Sequence, residues 1–109
     1  MTDKPLSTLV EAVPELFAAA SCEDDGTVLA QSQDFDADVT CAVAVLCHQQ
    51  VLELGELLDA GAIKDWSVAT HGMNVYLAAR SDELVVATGK ADDKPAKVVE
   101  KLKKQLGLS

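Results

Sequence analysis

The sequence predicts one α+β domain over residues 1–109, with a five-stranded antiparallel sheet and a long central helix in the order αββαβββα. Two stretches carry most of this prediction. Residues 36–60 contain no proline and keep apolar side chains at helical spacing throughout. Three later runs, Ile63–His71, Met73–Arg80 and Leu84–Gly89, alternate or stay apolar and are broken at Gly72 and at Ser81-Asp82-Glu83, as in an antiparallel meander. The composition agrees, being 49% hydrophobic with only 4% aromatic residues, so that Val, Leu and Ala must fill the core and disorder is excluded. A chain of 109 residues buries only about 65% of the surface its unfolded form exposes, enough for one modest core.

The first helix is expected over Pro5–Val13, where Leu6, Leu9, Val10 and Val13 share a face, Thr2 or Asp3 can cap the start, and Pro14 stops it. Leu16–Cys22 is too short for an average helix and reads as a strand. Asp25-Gly26 then forms a hairpin turn into a second strand at Thr27–Ser32, with glycine supplying the positive φ. Asp36 or Asp38 caps the central helix, and Gly61 stands where a helix-terminating glycine would. The last helix begins after Asp92-Asp93-Lys94-Pro95 and runs over Ala96–Leu106. Val98, Val99, Leu102 and Leu106 lie on one side of it, with Lys97, Lys101 and Lys104 on the other.

Projected at 100° per residue, the central helix shows two apolar faces. Val39, Val43, Leu46, Cys47, Val51, Leu54, Leu57 and Leu58 form the broader one, which is expected to cover the sheet. Opposite them Cys41, Val45, His48, Leu52 and Gly55 repeat at four, three, four and three, the spacing of a helix seam. A small domain has one sheet for one face, so the second stripe calls for another helix, most economically from a second copy of the chain. Gly55 strengthens this without proving a dimer, because glycine inside a helix costs about 1 kcal/mol relative to alanine and calls for some compensation, such as close approach of another backbone. A seam centred on His48 would bring that histidine near its own copy and keep both imidazoles neutral.

Charge and motifs exclude several functions. The net charge is -9, and residues 1–63 carry twelve acids against the single base Lys4, whereas residues 64–109 carry six acids and eight bases. An acidic surface repels phosphates, which speaks against nucleic acid and anionic lipid as partners. The longest apolar run, Cys41–Cys47, falls far short of the roughly 20 residues of a membrane span. No secretory leader is visible, and Cys22, Cys41 and Cys47 lack C-x-x-C spacing, so free thiols and a cytoplasmic location are expected.

The six glycines are isolated, which removes the phosphate-cradling loops. His48 and His71 lack ligand partners at metal-binding spacing apart from Cys47, which is adjacent to His48 on the helix and points elsewhere. Cys41 and His48 share a helix side but stand two turns, about 10.5 Å, apart, too far for proton transfer. The acid pairs Asp24-Asp25 and Asp92-Asp93 fit turn and helix-start roles. No catalytic residue, cofactor or metal site is expected.

The hairpin "DDGTVLAQS", the helix "DADVTCAVAVLCHQQVLELGELLDAG" and the strands "WSVATHGMNVYLAARSDELVVATG", in this order, resemble the roadblock family, named for a dynein light chain. The resemblance covers nearly the whole chain and rests on pattern rather than on a fixed motif; longin and profilin-like domains share much of the topology. It implies homodimers, or heterodimers with a paralogue, formed through the central helix and the strand after it, with the sheet extended across the dimer. Cys41, Val45, His48, Leu52 and Gly55, together with Trp66 and Val68 of the following strand, fall on the matching positions. It also implies non-catalytic regulation of small Ras-like GTPases, including GTPase-activating partners in prokaryotes. The alternative is a light-chain-like or scaffold subunit that assembles complexes without a GTPase.

Overall fold

A computed structural model of the chain describes residues 3–32, 36–61, 63–80, 83–91 and 94–107. The elements follow the expected order: α1 (Asp3–Ala12), β1 (Leu16–Cys22), β2 (Val28–Gln31), α2 (Ala37–Leu57), β3 (Asp65–Ala69), β4 (Asn74–Arg80), β5 (Glu83–Gly89) and α3 (Pro95–Gln105). The strands form one antiparallel sheet in the order β2-β1-β5-β4-β3. The meander is therefore β3-β4-β5, and the N-terminal hairpin joins it through β1 against β5. β3 and β2 are left at the two edges.

Side-chain alternation divides the sheet into two faces, each with its own core. On one face Leu16, Ala19, Tyr76, Ala78, Val85 and Ala87 pack under α1 and α3, which contribute Leu6, Leu9, Val98 and Leu102. On the other, Ala20, Cys22, Leu77, Leu84 and Val86 meet Ala37, Cys41, Ala44 and Val45 of α2. The result is an α/β/α sandwich in which the short helices share one face and the long helix has the other to itself.

Local chemistry explains the boundaries. The Asp25 carboxylate accepts a hydrogen bond from the Thr27 backbone N–H at 2.9 Å, and Gly26 sits at φ +93°, as the expected turn requires. That backbone contact holds the Asp25 carboxyl below its ordinary range. Asp36 is the N-cap of α2, accepting from the Val39 N–H at 3.3 Å. Pro95 opens α3, while the expected acidic pair before it and the alternative cap Thr2 lie outside the described residues.

The end of α2 differs from expectation. The helix stops at Leu57, and Asp59, not Gly61, takes the first left-handed conformation, at φ +55°. Aspartate tolerates that region because its short side chain bonds locally. Gly61 follows at φ +86°, so the chain reverses twice within three residues and folds back along the helix it has just left.

That reversal corrects the reading of Gly55. A Cβ there would stand 2.6 Å from the Gly61 carbonyl oxygen and 3.1 Å from Ile63 Cγ1. The glycine does answer a close backbone approach, but the backbone is the chain's own.

Candidate docking groove between α2 and the β3–β4 edge

The two faces of α2 are the reverse of those read from periodicity. Ala37, Cys41, Ala44, Val45, His48 and Gly55 are buried, Cys41 completely. The face expected on the sheet is open to solvent: Val39 is 57% exposed, Val43 54%, Leu46 63% and Leu57 84%. The proposed seam is therefore already covered within the chain, Cys41, Val45 and His48 by the sheet and Gly55 by the segment after the helix, with Leu52 half-buried beside it.

The physical reason is size. Small residues let a helix backbone lie close to the sheet, where the strand β1 presents Ala20 and Cys22 to it. The larger Val and Leu side chains are left outside. Hydrophobicity ranks the large residues as the better core, whereas close packing selects the small ones here.

α2 packs most closely over β1, β2 and β5 and reaches β4 and β3 only at Leu77 and Trp66, so the sheet beyond is covered incompletely. A groove of about 540 Å³ results, walled by Val39, Thr40, Val43, Ala44 and Cys47 of α2 and by Trp66, Val68, Met73, Val75 and Thr88 from the sheet side. Its lining is almost entirely apolar. It runs into the exposed helix face, where Leu46, Leu54 and Leu57 continue the stripe, and it borders the unpaired edge of β3. Exposed patches of this kind, beside an open sheet edge, mark protein contact surfaces.

Of the seven residues expected at the interface, Trp66 and Val68 are the two placed on this groove. Val45, His48 and Leu52 instead line a second, smaller cavity of about 260 Å³ with Asp24, Gln49 and Glu83. His48 is 8% exposed, and its Nδ1 accepts a hydrogen bond from Trp66 Nε1 at 3.0 Å, with the two rings 26° from parallel. Burial pushes the His48 pKa down, and the Asp24 charge opposes this only in part. An imidazole already engaged by the sheet is not available to meet its own copy at a two-fold axis.

The groove residues Val39, Val43 and Cys47 are visible in the sequence as part of an apolar stripe, which the structure turns to the opposite side from the one expected. The cue that separates the faces is the run of small residues at positions 37, 41, 44 and 55.

Ion pairs elsewhere tie elements of the fold together. Arg80 donates through Nε to Glu83 Oε1 at 3.1 Å, and its Nη2 is paired with the same oxygen. Lys101 holds Glu15 at 2.6 Å and Lys103 holds Asp65 at 3.0 Å, tying α3 to its neighbours. The Lys101 contact keeps the Glu15 carboxyl below its ordinary range. Cys22, Cys41 and Cys47 are free thiols. The hydrogen bond with Cys41, together with burial, raises the Cys22 thiol far above the usual range, so it stays protonated. Among the described residues no cluster of side chains could hold a metal ion, and no helix is long and apolar enough to cross a membrane.

No protein-family model matches the sequence, and no curated protein matches it significantly. The fold is nonetheless that of roadblock domains. A Roadblock/LC7 domain from Streptomyces avermitilis superposes with a TM-score of 0.83 at 20% identity, over 96% of this chain and 91% of that one. The gliding protein MglB from Thermus thermophilus gives 0.72 at 16% identity, over 94% and 85%. Profilin II from Acanthamoeba castellanii is a more distant likeness, at 0.63 and 15% identity over 93% and 92%. The expected five-stranded α+β architecture is thus present.

Proposed function

We propose that the chain is a non-catalytic, dimeric platform that regulates a small Ras-like GTPase. The observation that carries this is the apolar groove between α2 and the β3 edge, continuous with an outward helix face of large aliphatic side chains. Burying that surface against a second copy removes it from water at roughly 25 cal/mol per Å². Pairing β3 with its own copy would satisfy the open edge. The interface is therefore Val39, Val43, Leu46, Cys47, Leu54 and Leu57 with Trp66 and Val68, in place of the seam expected at Cys41, Val45, His48 and Gly55. The likeness in fold to roadblock domains and to MglB supports the regulatory role. The three free thiols fit a reducing cytoplasm.

The mode of action follows from the arginine inventory. Stimulating GTP hydrolysis in trans often uses an inserted arginine worth 10³ to 10⁵ in rate. This chain has a single arginine, Arg80, and Glu83 already engages its guanidinium. Regulation therefore works by positioning the GTPase's own switch residues.

The test is binding and GTP turnover of a Ras-like GTPase from the same organism, with wild type and Arg80→Ala. Nucleotide-dependent binding, with equal stimulation by both proteins, is the expected result. A thousandfold loss in Arg80→Ala would overturn the positioning mechanism. Absence of binding in every nucleotide state would overturn the GTPase role in favour of a scaffold or light-chain-like subunit.

A further inference from the structure

We propose that the hydrogen bond between His48 and Trp66 is a proton-operated latch that fixes the sheet-side wall of the groove and releases it when His48 is protonated. The geometry defines the switch. Trp66 Nε1 can only donate, and at 3.0 Å it donates to His48 Nδ1, so the imidazole must be neutral with its proton on Nε2. An imidazolium has no acceptor at either nitrogen, so a flip of the ring does not rescue the bond. Protonation sets two N–H groups against each other, and the indole must give way because His48 is fixed on the buried, sheet-facing side of α2.

The surroundings favour the neutral form and offer only partial relief to the cation. From the β1–β2 turn Asp24 faces the same cavity, and from β5 Glu83 does so with its carboxylate already committed to Arg80 of β4. α2 adds the uncharged Gln49, and its Cys41 shares the neighbouring core with Cys22 of β1. Lys64 is exposed just before β3. Burial outweighs the Asp24 attraction, so the histidine titrates below its free value of about 6.5.

The consequence falls on the docking surface. Trp66 sits on the edge strand and lines the groove, so it couples a titration under the helix to the shape of an exposed apolar wall. The latch is a property of the single chain and stands whether or not that wall receives a second copy.

Trp66 is the only tryptophan, so its indole N–H resonance and its fluorescence report this one site. The experiment follows the Trp66 indole and the His48 ring nitrogens by ¹H–¹⁵N spectroscopy from pH 8 to pH 5. Wild type, His48→Gln and Trp66→Phe are compared, and sedimentation is recorded at each pH. Glutamine can still accept from the indole but cannot be protonated.

In wild type the indole resonance should move in a single step with the same midpoint as His48, below 6.5, and His48 should be the Nε2–H tautomer above it. The indole in His48→Gln should stay fixed. In Trp66→Phe the His48 midpoint should rise, because the donor that only the neutral ring can accept is gone. A flat indole resonance in wild type, the same shift in His48→Gln, or an unmoved His48 midpoint in Trp66→Phe would each overturn the latch. A protein sedimenting as a monomer throughout would count against the docking reading and leave the latch result intact.

Discussion

Replacing Gly55 with alanine should destabilise the fold, although the same change in an open helix would stabilise it by about 1 kcal/mol. The new methyl carbon would lie 2.6 Å from the Gly61 carbonyl oxygen and 3.1 Å from Ile63 Cγ1. Relief requires the segment after the helix to retreat by several tenths of an ångström. That segment is pinned to the helix end by hydrogen bonds from the Ala60 N–H to the Gly55 carbonyl at 2.8 Å and from the Asp59 N–H to the Glu56 carbonyl at 3.0 Å. Overpacking costs roughly 1–3 kcal/mol, and losing one of these bonds adds about 1 kcal/mol. Less the propensity gain, the net loss is about 1–3 kcal/mol. Each kcal/mol lowers the melting temperature of a domain this size by about 4 °C or more. Urea unfolding followed by circular dichroism and Trp66 fluorescence measures it. The loss should persist when unfolding is referred to the folded monomer, since the clash lies within one chain. A variant as stable as wild type, or more stable, would refute the intrachain account of Gly55.

Three further outcomes are expected. Gly89→Ala should be more damaging than Gly55→Ala, by several kcal/mol, because its Cβ would press on the Glu15 carbonyl oxygen, which also accepts from the Lys90 N–H; thermal unfolding checks this. Asp36→Ala should cost about 1 kcal/mol through loss of the α2 cap, read as a lower urea midpoint at unchanged slope. Because burial lowers the His48 pKa, the folded chain binds fewer protons than the unfolded chain; stability is then full above about pH 6.5 and falls as pH drops through the folded midpoint. His48→Gln should remove that component from a series of melts between pH 7.5 and pH 5.

The parts of this fold legible in the sequence are those where local chemistry and periodicity agree. Leu16–Cys22 could be placed to the residue because Pro14 and the Asp25-Gly26 turn bracket it. Val98, Val99 and Leu102 could be assigned to the core because lysines occupy the other side of α3. α2 is apolar on both sides, so periodicity found the helix and both of its stripes but could not orient them. The sheet, assembled from residues far apart in sequence, made that choice by demanding small partners. Gly55 announced a close backbone approach, yet the partner backbone depended on a reversal that Asp59 begins. The contact between His48 and Trp66 joins residues from separate elements, and nothing local to either one points to the other.

Sedimentation velocity at tens of micromolar, on wild type and on Val43→Asp, tests the central claim most directly. Val43 is 54% exposed and lines the groove, so an aspartate there costs the isolated chain little. In a symmetric dimer it would bury an unpaired charge from each copy, at several kcal/mol in all. The account predicts a wild-type dimer and a folded Val43→Asp monomer, with association weakened at least about a hundredfold. A wild-type chain that sediments as a monomer, or a Val43→Asp chain that remains a dimer, would contradict it.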